Sequence, residues 1–186
     1  NYYPPNYIYI DLNFLSTLNK DQIYSGVGEI MHYYLVSNKK DFLMIKKNLD
    51  LLLSGDSKIL SKTIIRSLEI KKKFIEKDEF DNNHRLLLNY GHSFGHALES
   101  ITNFNLPHGI AVAHGMNIAN YFSYKYGYLS KNKFEDMQSL LSQIYCFSLP
   151  KKFKQKVYEN FLLKDKKITN GTLKLVLSKN PGKMFI

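Results

Sequence analysis

The sequence has very little cysteine and no long apolar run. Cys146 is the only cysteine among 186 residues, and a lone cysteine cannot form a disulfide within its own chain, which predicts a cytoplasmic protein in a reducing compartment. No apolar stretch approaches the roughly 20 residues that span a bilayer, and the first residues lack the basic and apolar regions of a secretion signal. We therefore expect no membrane partner.

The sequence also lacks a glycine-rich nucleotide loop and an initiator methionine. A dinucleotide-binding domain opens with a loop of the form G-x-G-x-x-G, so we expect no such domain within this chain. A length of 186 residues, 44% of them hydrophobic, suits one domain with a single core. Because the initiator methionine is missing, we expect this domain to have been cut from a longer protein.

Acidic residues are outnumbered, and the formal net charge is +10. The basic residues concentrate at 71–73 and 151–167, and no zinc finger, helix-turn-helix or aromatic stacking motif accompanies them. This distribution predicts lysines that are mostly solvated and partly used for an anionic small molecule. We expect no nucleic-acid partner.

The spacing of apolar residues predicts a mainly α-helical domain with one or two short strands at its edges. The predicted helices cover residues 29–36, 41–53, 57–77, 85–101, 110–126, 131–145 and 151–163. Alternating β-rich segments predict strands at 7–11 and 172–178.

Four of the six histidines fall between residues 92 and 114. His92 and His96 are four residues apart and would share one face of a helix, and His108 follows a short loop. Neutral imidazole is a good ligand for Zn²⁺, so these three are candidate metal ligands, with the distant Glu29 as a further candidate. The alternative is that they are ordinary hydrogen-bonded histidines. The helical pair is not a zincin motif, because Ser93 stands where zincins have glutamate.

Glycines surround these histidines at Gly91, Gly95 and Gly109. Glycine lets two backbones, or a backbone and a ligand, approach closely. Three glycines beside three histidines favour a built site over scattered histidines, and the spacing alone supports a possible metal site without choosing its ligands.

Several motifs, in order, resemble those of the 3-dehydroquinate synthase family of sugar-phosphate cyclases. Residues 85–99, RLLLNYGHSFGHALE, resemble the family's RxxLNxGHTxGHAxE, and residues 108–116, HGIAVAHGM, resemble HGEAVAxGM. The segment SGVGEIMH at 25–32 resembles SGxAEVIK, and DKK at 165–167 is similar to a C-terminal family element. The segment 7–18 resembles the strand and LxTLP turn that open the family's C-terminal half, so the resemblance covers essentially the whole chain.

This resemblance implies that residues 1–186 form a single C-terminal metal- and substrate-binding domain, which in the family follows a Rossmann-like NAD-binding domain. It implies a lyase that uses NAD and Zn²⁺ or Co²⁺ to eliminate phosphate from a phosphorylated sugar acid and close a carbocycle. The leading activity is 3-dehydroquinate synthase, in the shikimate pathway of aromatic amino acid biosynthesis. The resemblance also implies a homodimer, and an isolated domain that is inactive.

The resemblance assigns roles to particular residues. The metal ligands would be Glu29, His92 and His108, which leaves His96 to face the substrate phosphate and take part in proton transfer. The residues that would bind other substrate groups are Lys71, Arg85 and Asn89, and those that would approach the phosphate are Lys166 and Lys167.

Some residues depart from the family motifs. His32 stands where the family has lysine, Asp81 replaces a glutamate, and Ile110 replaces a glutamate beside His108, which we expect to remove a partner of that ligand. His114 occupies a variable position and is expected to be a packed or surface residue. The departures keep three alternatives open: another sugar-phosphate cyclase, a metal-dependent polyol dehydrogenase, or a non-catalytic metal-binding remnant.

Overall fold

The computed structural model describes residues 3, 5–145, 149, 155–163, 168–169 and 172–186. Seven α-helices lie in this part of the chain: α1 Lys20–Ser37, α2 Lys39–Leu53, α3 Ser57–Lys77, α4 His92–Ile101, α5 His108–Lys125, α6 Lys131–Ser142 and α7 Gln155–Leu163. Two 3₁₀ helices cover Leu12–Thr17 and His84–Asn89. Short strands β1 Ile168–Thr169 and β2 Thr172–Leu173 pair antiparallel, as do β3 Leu177–Asn180 and β4 Lys183–Phe185. The mainly helical prediction is therefore confirmed.

Side-chain caps fix where the first three helices begin. The side chain of Asn19 accepts a hydrogen bond from the backbone of Gln22, which returns one in a capping box. Asn38 and Asp56 cap α2 and α3 in the same sense, each accepting from a backbone N–H in the first turn. The Asn19 cap sets the start of α1 at Lys20, well upstream of the predicted residue 29.

The central helix of the fold is α5, which contacts α1, α4 and α6. After His108 most of its first half is buried, and Ile110, Val112 and Met116 are 0% exposed. The segment that carries His108 is therefore held on several sides by the hydrophobic core, and it provides a rigid base for a site.

Where α1 crosses α5, the backbones of the two helices are in direct contact. A Cβ atom on Gly28 would overlap the carbonyl oxygen of Gly109, and one on Gly109 would overlap the carbonyl oxygen of Ser25. The predicted start of this helix at residue 29 is therefore too late, because Gly26 and Gly28 lie inside α1 and Gly28 serves close packing. The expected close approach at Gly109 is confirmed.

The predicted helix over 85–101 is interrupted. Residues His84–Asn89 form a 3₁₀ helix, and α4 begins only at His92. Gly91 lies between them with φ of 81°, a left-handed conformation that glycine adopts without strain. A Cβ there would also lie 2.8 Å from the backbone nitrogen of Met116 on α5. The interruption makes His92 the first residue of α4.

Two strand predictions are wrong in detail. Residues 7–11 are not a strand: no described strand pairs with them, and their side chains are exposed, Tyr9 to 92%. The segment predicted as one strand over 172–178 is divided between β2 and β3, which belong to different hairpins. No helix of the described residues is long and apolar enough to cross a membrane.

Candidate functional site

Three helices bring one carboxylate and two imidazoles together. Glu29 lies in α1, while His92 and His108 are the first residues of α4 and α5. Oε2 of Glu29 lies 3.6 Å from Nε2 of His92 and 3.7 Å from Nε2 of His108. The structure thus places both predicted imidazole ligands beside the predicted carboxylate ligand.

These separations fit ligands around a metal ion better than hydrogen bonds. An N–H···O bond spans about 2.7–3.2 Å, and Oε2 of Glu29 is buried with no hydrogen-bond partner among the described residues. Metal–ligand bonds of about 2.1 Å in a tetrahedral zinc site place neighbouring ligand atoms roughly 3.4 Å apart. An oxygen and two imidazole nitrogens are also donors that Zn²⁺ and Co²⁺ accept. The residues present therefore fit a divalent cation.

The Nδ1 atom of each imidazole lies beside its own hydrogen-bond acceptor. Nδ1 of His92 lies 3.3 Å from the carbonyl oxygen of Tyr90, and Nδ1 of His108 lies 3.2 Å from both carboxylate oxygens of Glu99. When Nδ1 donates its proton to such an acceptor, the lone pair of the neutral ring is on Nε2. Both Nε2 lone pairs then point toward Glu29, as in metal-binding histidines.

Glu99 was given no role by the sequence analysis, although it belongs to the motif at 85–99. It follows His96 by three residues on α4, and its side chain is only 13% exposed. The turn between α4 and α5 contains two non-glycine residues in left-handed conformation, Asn103 and Phe104, and it brings Glu99 against His108. Glu99 therefore partners His108, and Ile110, which stands where the family has glutamate, is buried in the core.

The site is built to keep Glu29 ionised. Burial alone would raise the pKa of Glu29, but interaction with His92 and the charges of the neighbouring histidines lower it to about 2. Burial, aided by the charge of Glu29, raises the pKa of Tyr33 to about 12. The hydrogen bond with Glu99 raises the pKa of His108.

His32 also lies in this cluster, one turn after Glu29 on α1. It is only 1% exposed, and its ring packs edge-on against His92 at a centroid distance of 4.7 Å. One ligand atom from each of Glu29, His32 and His92 lies within 4.8 Å of the others. The residue that departs from the family lysine is therefore beside the candidate metal position.

His96 lies on the outer side of the cluster. Its ring centroid is 5.6 Å from that of His92 and 5.7 Å from that of His108, and the residue is exposed. It groups with Glu99 and His108, whose ligand atoms also lie within 4.8 Å of its own. The structure thus places His96 beside His92 and His108, in a group of ligand atoms that does not include Glu29.

A cavity of about 170 Å³ joins the cluster to the predicted substrate-binding residues. Its lining includes Lys71, Arg85 and Asn89 together with Glu29 and His92. Arg85 Nη1 donates to the carbonyl oxygen of Glu79 at 2.7 Å, which orients the guanidinium.

The loop before Arg85 is organised by one carboxylate. Asp78 accepts the backbone N–H groups of Asn82, Asn83 and Arg85 at 2.8–3.1 Å, and these hydrogen bonds lower its pKa. Asp81, which replaces the family glutamate, takes a left-handed conformation with φ of 58° and lines the cavity. Lys166 and Lys167 lie outside the described residues, so their predicted contact with phosphate stays a prediction.

Solved structures of similar fold belong to enzymes of known activity. A 2-epi-5-epi-valiolone synthase from Streptomyces hygroscopicus subsp. jinggangensis, with NAD⁺ and Zn²⁺ bound, superposes with a TM-score of 0.83 at 20% identity over 95% of this chain and 49% of its own. A 2-deoxy-scyllo-inosose synthase complexed with carbaglucose-6-phosphate, NAD⁺ and Co²⁺ gives 0.81 at 21% identity, over 99% and 51%. At these identities the likeness establishes the fold.

Sequence relatives are closer. The chain is 34% identical over 186 residues to a 3-dehydroquinate synthase of Dictyoglomus turgidum and 37% identical over 190 residues to one of a Nitratiruptor species. Each match covers 100% of this chain and 52% of the relative, so the chain spans about half the length of these proteins. The family model for the 3-dehydroquinate synthase C-terminal domain matches residues 26–168, and the chain therefore belongs to that family.

Proposed function

We propose that the full-length protein containing this chain is a 3-dehydroquinate synthase, a lyase that eliminates phosphate from a sugar-acid phosphate and closes a carbocycle. The observation that carries this proposal is the convergence of Glu29, His92 and His108, with an ionised and unpartnered carboxylate oxygen between two oriented imidazoles. The names of the relatives support the same activity.

The proposed metal is Zn²⁺ or Co²⁺, the ions bound in the two structures of similar fold. It would be held by Glu29, His92 and His108, and when bound it supplies a Lewis acid that polarises substrate oxygens. Glu99 and the carbonyl group of Tyr90 would hold the two imidazoles in orientation. The proposed second cofactor is NAD, which when bound would supply a reversible hydride acceptor for a ring carbon of the substrate.

The cavity beside the metal position would bind the substrate. The guanidinium of Arg85 is planar and can bind both oxygens of a carboxylate, while Lys71 adds a positive charge. Asn89, in the same lining, would hydrogen-bond a substrate hydroxyl group. Arg85 and Lys71 together favour a substrate that carries a carboxylate, which supports dehydroquinate formation among the cyclase activities.

The phosphate would bind on the outer side of the cluster. Helices α4 and α5 begin at the predicted ligands His92 and His108. The N-terminus of a helix carries a partial positive charge, which favours an anion such as phosphate. His96 lies on that side and would hold a proton at a ring nitrogen near the leaving phosphate. Lys166 and Lys167 complete the proposed set.

The chain would provide only half of the working site. Its cavity of about 170 Å³ is smaller than the 300–1,000 Å³ typical of small-molecule sites, and the relatives are about twice as long. We propose that residues 1–186 are one domain, that a Rossmann-like NAD-binding domain covers the cavity, and that the isolated domain is inactive. We also propose a homodimer, on the family resemblance, and a cytoplasmic location, on the single cysteine.

A second candidate is another sugar-phosphate cyclase. The observation that favours it is His32, which lines the cavity where the family has lysine and so changes the charge next to the substrate. Such an enzyme would use the same metal ligands and would differ in the ring that it closes.

The experiment is an assay of phosphate release and carbocycle formation from 3-deoxy-heptulosonate 7-phosphate by the full-length protein with NAD and Zn²⁺ or Co²⁺. We expect turnover by the parent protein and its loss in His92→Asn. His114→Asn is the matched control, because His114 is a half-buried histidine of α5 that stacks on Tyr145 away from the site. No phosphate release by the parent refutes the proposal, and release from a different sugar phosphate identifies the second candidate.

A further inference from the structure

His32 is a buried histidine that the family motifs do not contain. It follows Glu29 by three residues on α1, a spacing that places both side chains on the same face of a helix. Helical metal sites use the same Glu-x-x-His spacing to bring both side chains to one metal centre. The position of His32 relative to Glu29 therefore suits a shared ligand.

The ring of His32 has no adequate hydrogen-bond partner within the described part of the chain. Neither nitrogen makes a hydrogen bond of ordinary geometry with a described residue, and the backbone of Leu88 is the one backbone group that interacts with the ring. Leaving a buried polar group without a partner costs on the order of 1–3 kcal/mol, and buried polar atoms in folded proteins nearly always have one. Some group must satisfy this ring when the site is complete.

The surroundings of His32 narrow the identity of that group. Its ligand atom lies within 4.8 Å of those of Glu29 and His92, and its ring packs edge-on against that of His92. His114 is the instructive contrast, since its Nε2 is also buried and unpartnered, but its ring stacks on Tyr145 and lies in neither metal-binding group. Of these two histidines, only His32 has an unsatisfied ring beside both a carboxylate and a second imidazole.

We propose that His32 is a fourth protein ligand of the cation that Glu29, His92 and His108 would hold. The inference rests on the proposed metal site and adds a ligand that is particular to this chain. A lysine at this position is a cation without an acceptor and cannot bind a metal while protonated, whereas a neutral imidazole can.

The consequence is a different coordination sphere. Catalytic zinc sites commonly have three protein ligands and an open fourth position. Three imidazoles and one carboxylate would fill a tetrahedral set, so a substrate oxygen would enter as a fifth ligand. The metal would also be held more tightly than by three ligands.

The test uses the full-length protein, stripped of metal and titrated with Co²⁺ against a chromophoric chelator. We expect His32→Asn to bind Co²⁺ at least tenfold more weakly, about 1.4 kcal/mol, with His114→Asn unchanged as the matched control. X-ray absorption at the cobalt edge should count one imidazole fewer in His32→Asn than in the parent. His32→Lys, which restores the family residue, should lose the same imidazole and provides the answer if His32→Asn does not fold.

An unchanged imidazole count overturns the inference, whether or not the affinity falls, because the ring would then act only by its position. His92→Asn separates this result from a failure of the proposed function. If His92→Asn loses Co²⁺ and His32→Asn does not, the three-ligand site stands without His32. If neither loses Co²⁺, the metal site itself is wrong.

Discussion

Replacing Glu99 with alanine tests how far the metal site depends on the carboxylate behind His108. Both oxygens of Glu99 lie 3.2 Å from Nδ1 of His108, and its side chain is only 13% exposed. The substitution removes no predicted ligand. It removes the acceptor that fixes the Nδ1 proton, so that the ring of His108 can rotate or present the wrong nitrogen to the metal.

The expected loss follows from the geometry. Removing a partner that orients a metal-binding histidine weakens metal binding about 10- to 100-fold, or roughly 1.4–2.7 kcal/mol. The His108 side chain is 44% exposed, so water can replace part of the lost hydrogen bond. We therefore expect the lower half of that range for Glu99→Ala, and a smaller effect for Glu99→Gln, whose amide oxygen still accepts one hydrogen bond.

The assay is Co²⁺ or Zn²⁺ titration of the metal-free full-length protein by competition with a chelator. Glu135→Ala is the matched control, because it also removes one carboxylate, on the exposed face of α6, where its partner is Lys131. Circular dichroism melting of each variant checks that the fold persists. Metal affinity in Glu99→Ala equal to that of Glu135→Ala would show that His108 needs no such support, and the reasoning would be refuted.

Two further predictions concern stability. Asp41 is buried and accepts two hydrogen bonds from Arg66. Burial alone would raise the pKa of Asp41, but these hydrogen bonds hold it below the usual range. Asp41→Asn should therefore lower the free energy of unfolding by about 2 kcal/mol at pH 7. This contribution is present above the ordinary carboxyl pKa and is lost as pH falls through the lowered one, so urea melts should show the two proteins converging in acid; a constant difference would contradict the assignment. Tyr90 donates a 2.6 Å hydrogen bond to Asn120 in the core. Tyr90→Phe should lower the free energy of unfolding by about 1–2 kcal/mol in thermal melts and leave metal affinity unchanged. An altered metal affinity would mean that this pair also sets the position of His92.

The helices could be predicted from sequence where an apolar period dominates, and less well where tertiary packing overrides a local signal. The predictions over 41–53 and 57–77 are confirmed almost to the residue, because caps and periodicity agree there. The predicted helix start at residue 29 was too late, because glycine disfavours a helix locally, whereas Gly28 lies inside α1 where that helix crosses α5. The strand at 7–11 failed because a strand needs a neighbour, and no described segment offers one.

The candidate site shows the same division. The motifs brought Glu29 to His92 and His108 over long sequence separations, and the distances agree with that grouping. Spacing alone had offered His96 as a ligand, and the structure groups its ligand atom with those of Glu99 and His108 rather than with that of Glu29. The role of Glu99 could not be predicted from spacing, because it depends on the path of the turn through 102–107.

The backbone contact between α1 and α5 has a consequence for how this protein can change over time. Because no side chains separate Gly28 from Gly109, the distance between the two helices does not depend on which apolar residues fill the core. The distance between Glu29 and His108 therefore does not depend on how the side chains of the hydrophobic core are packed. In this chain, core side chains can therefore be exchanged while Gly28 and Gly109 keep the candidate metal ligands Glu29 and His108 at the same separation.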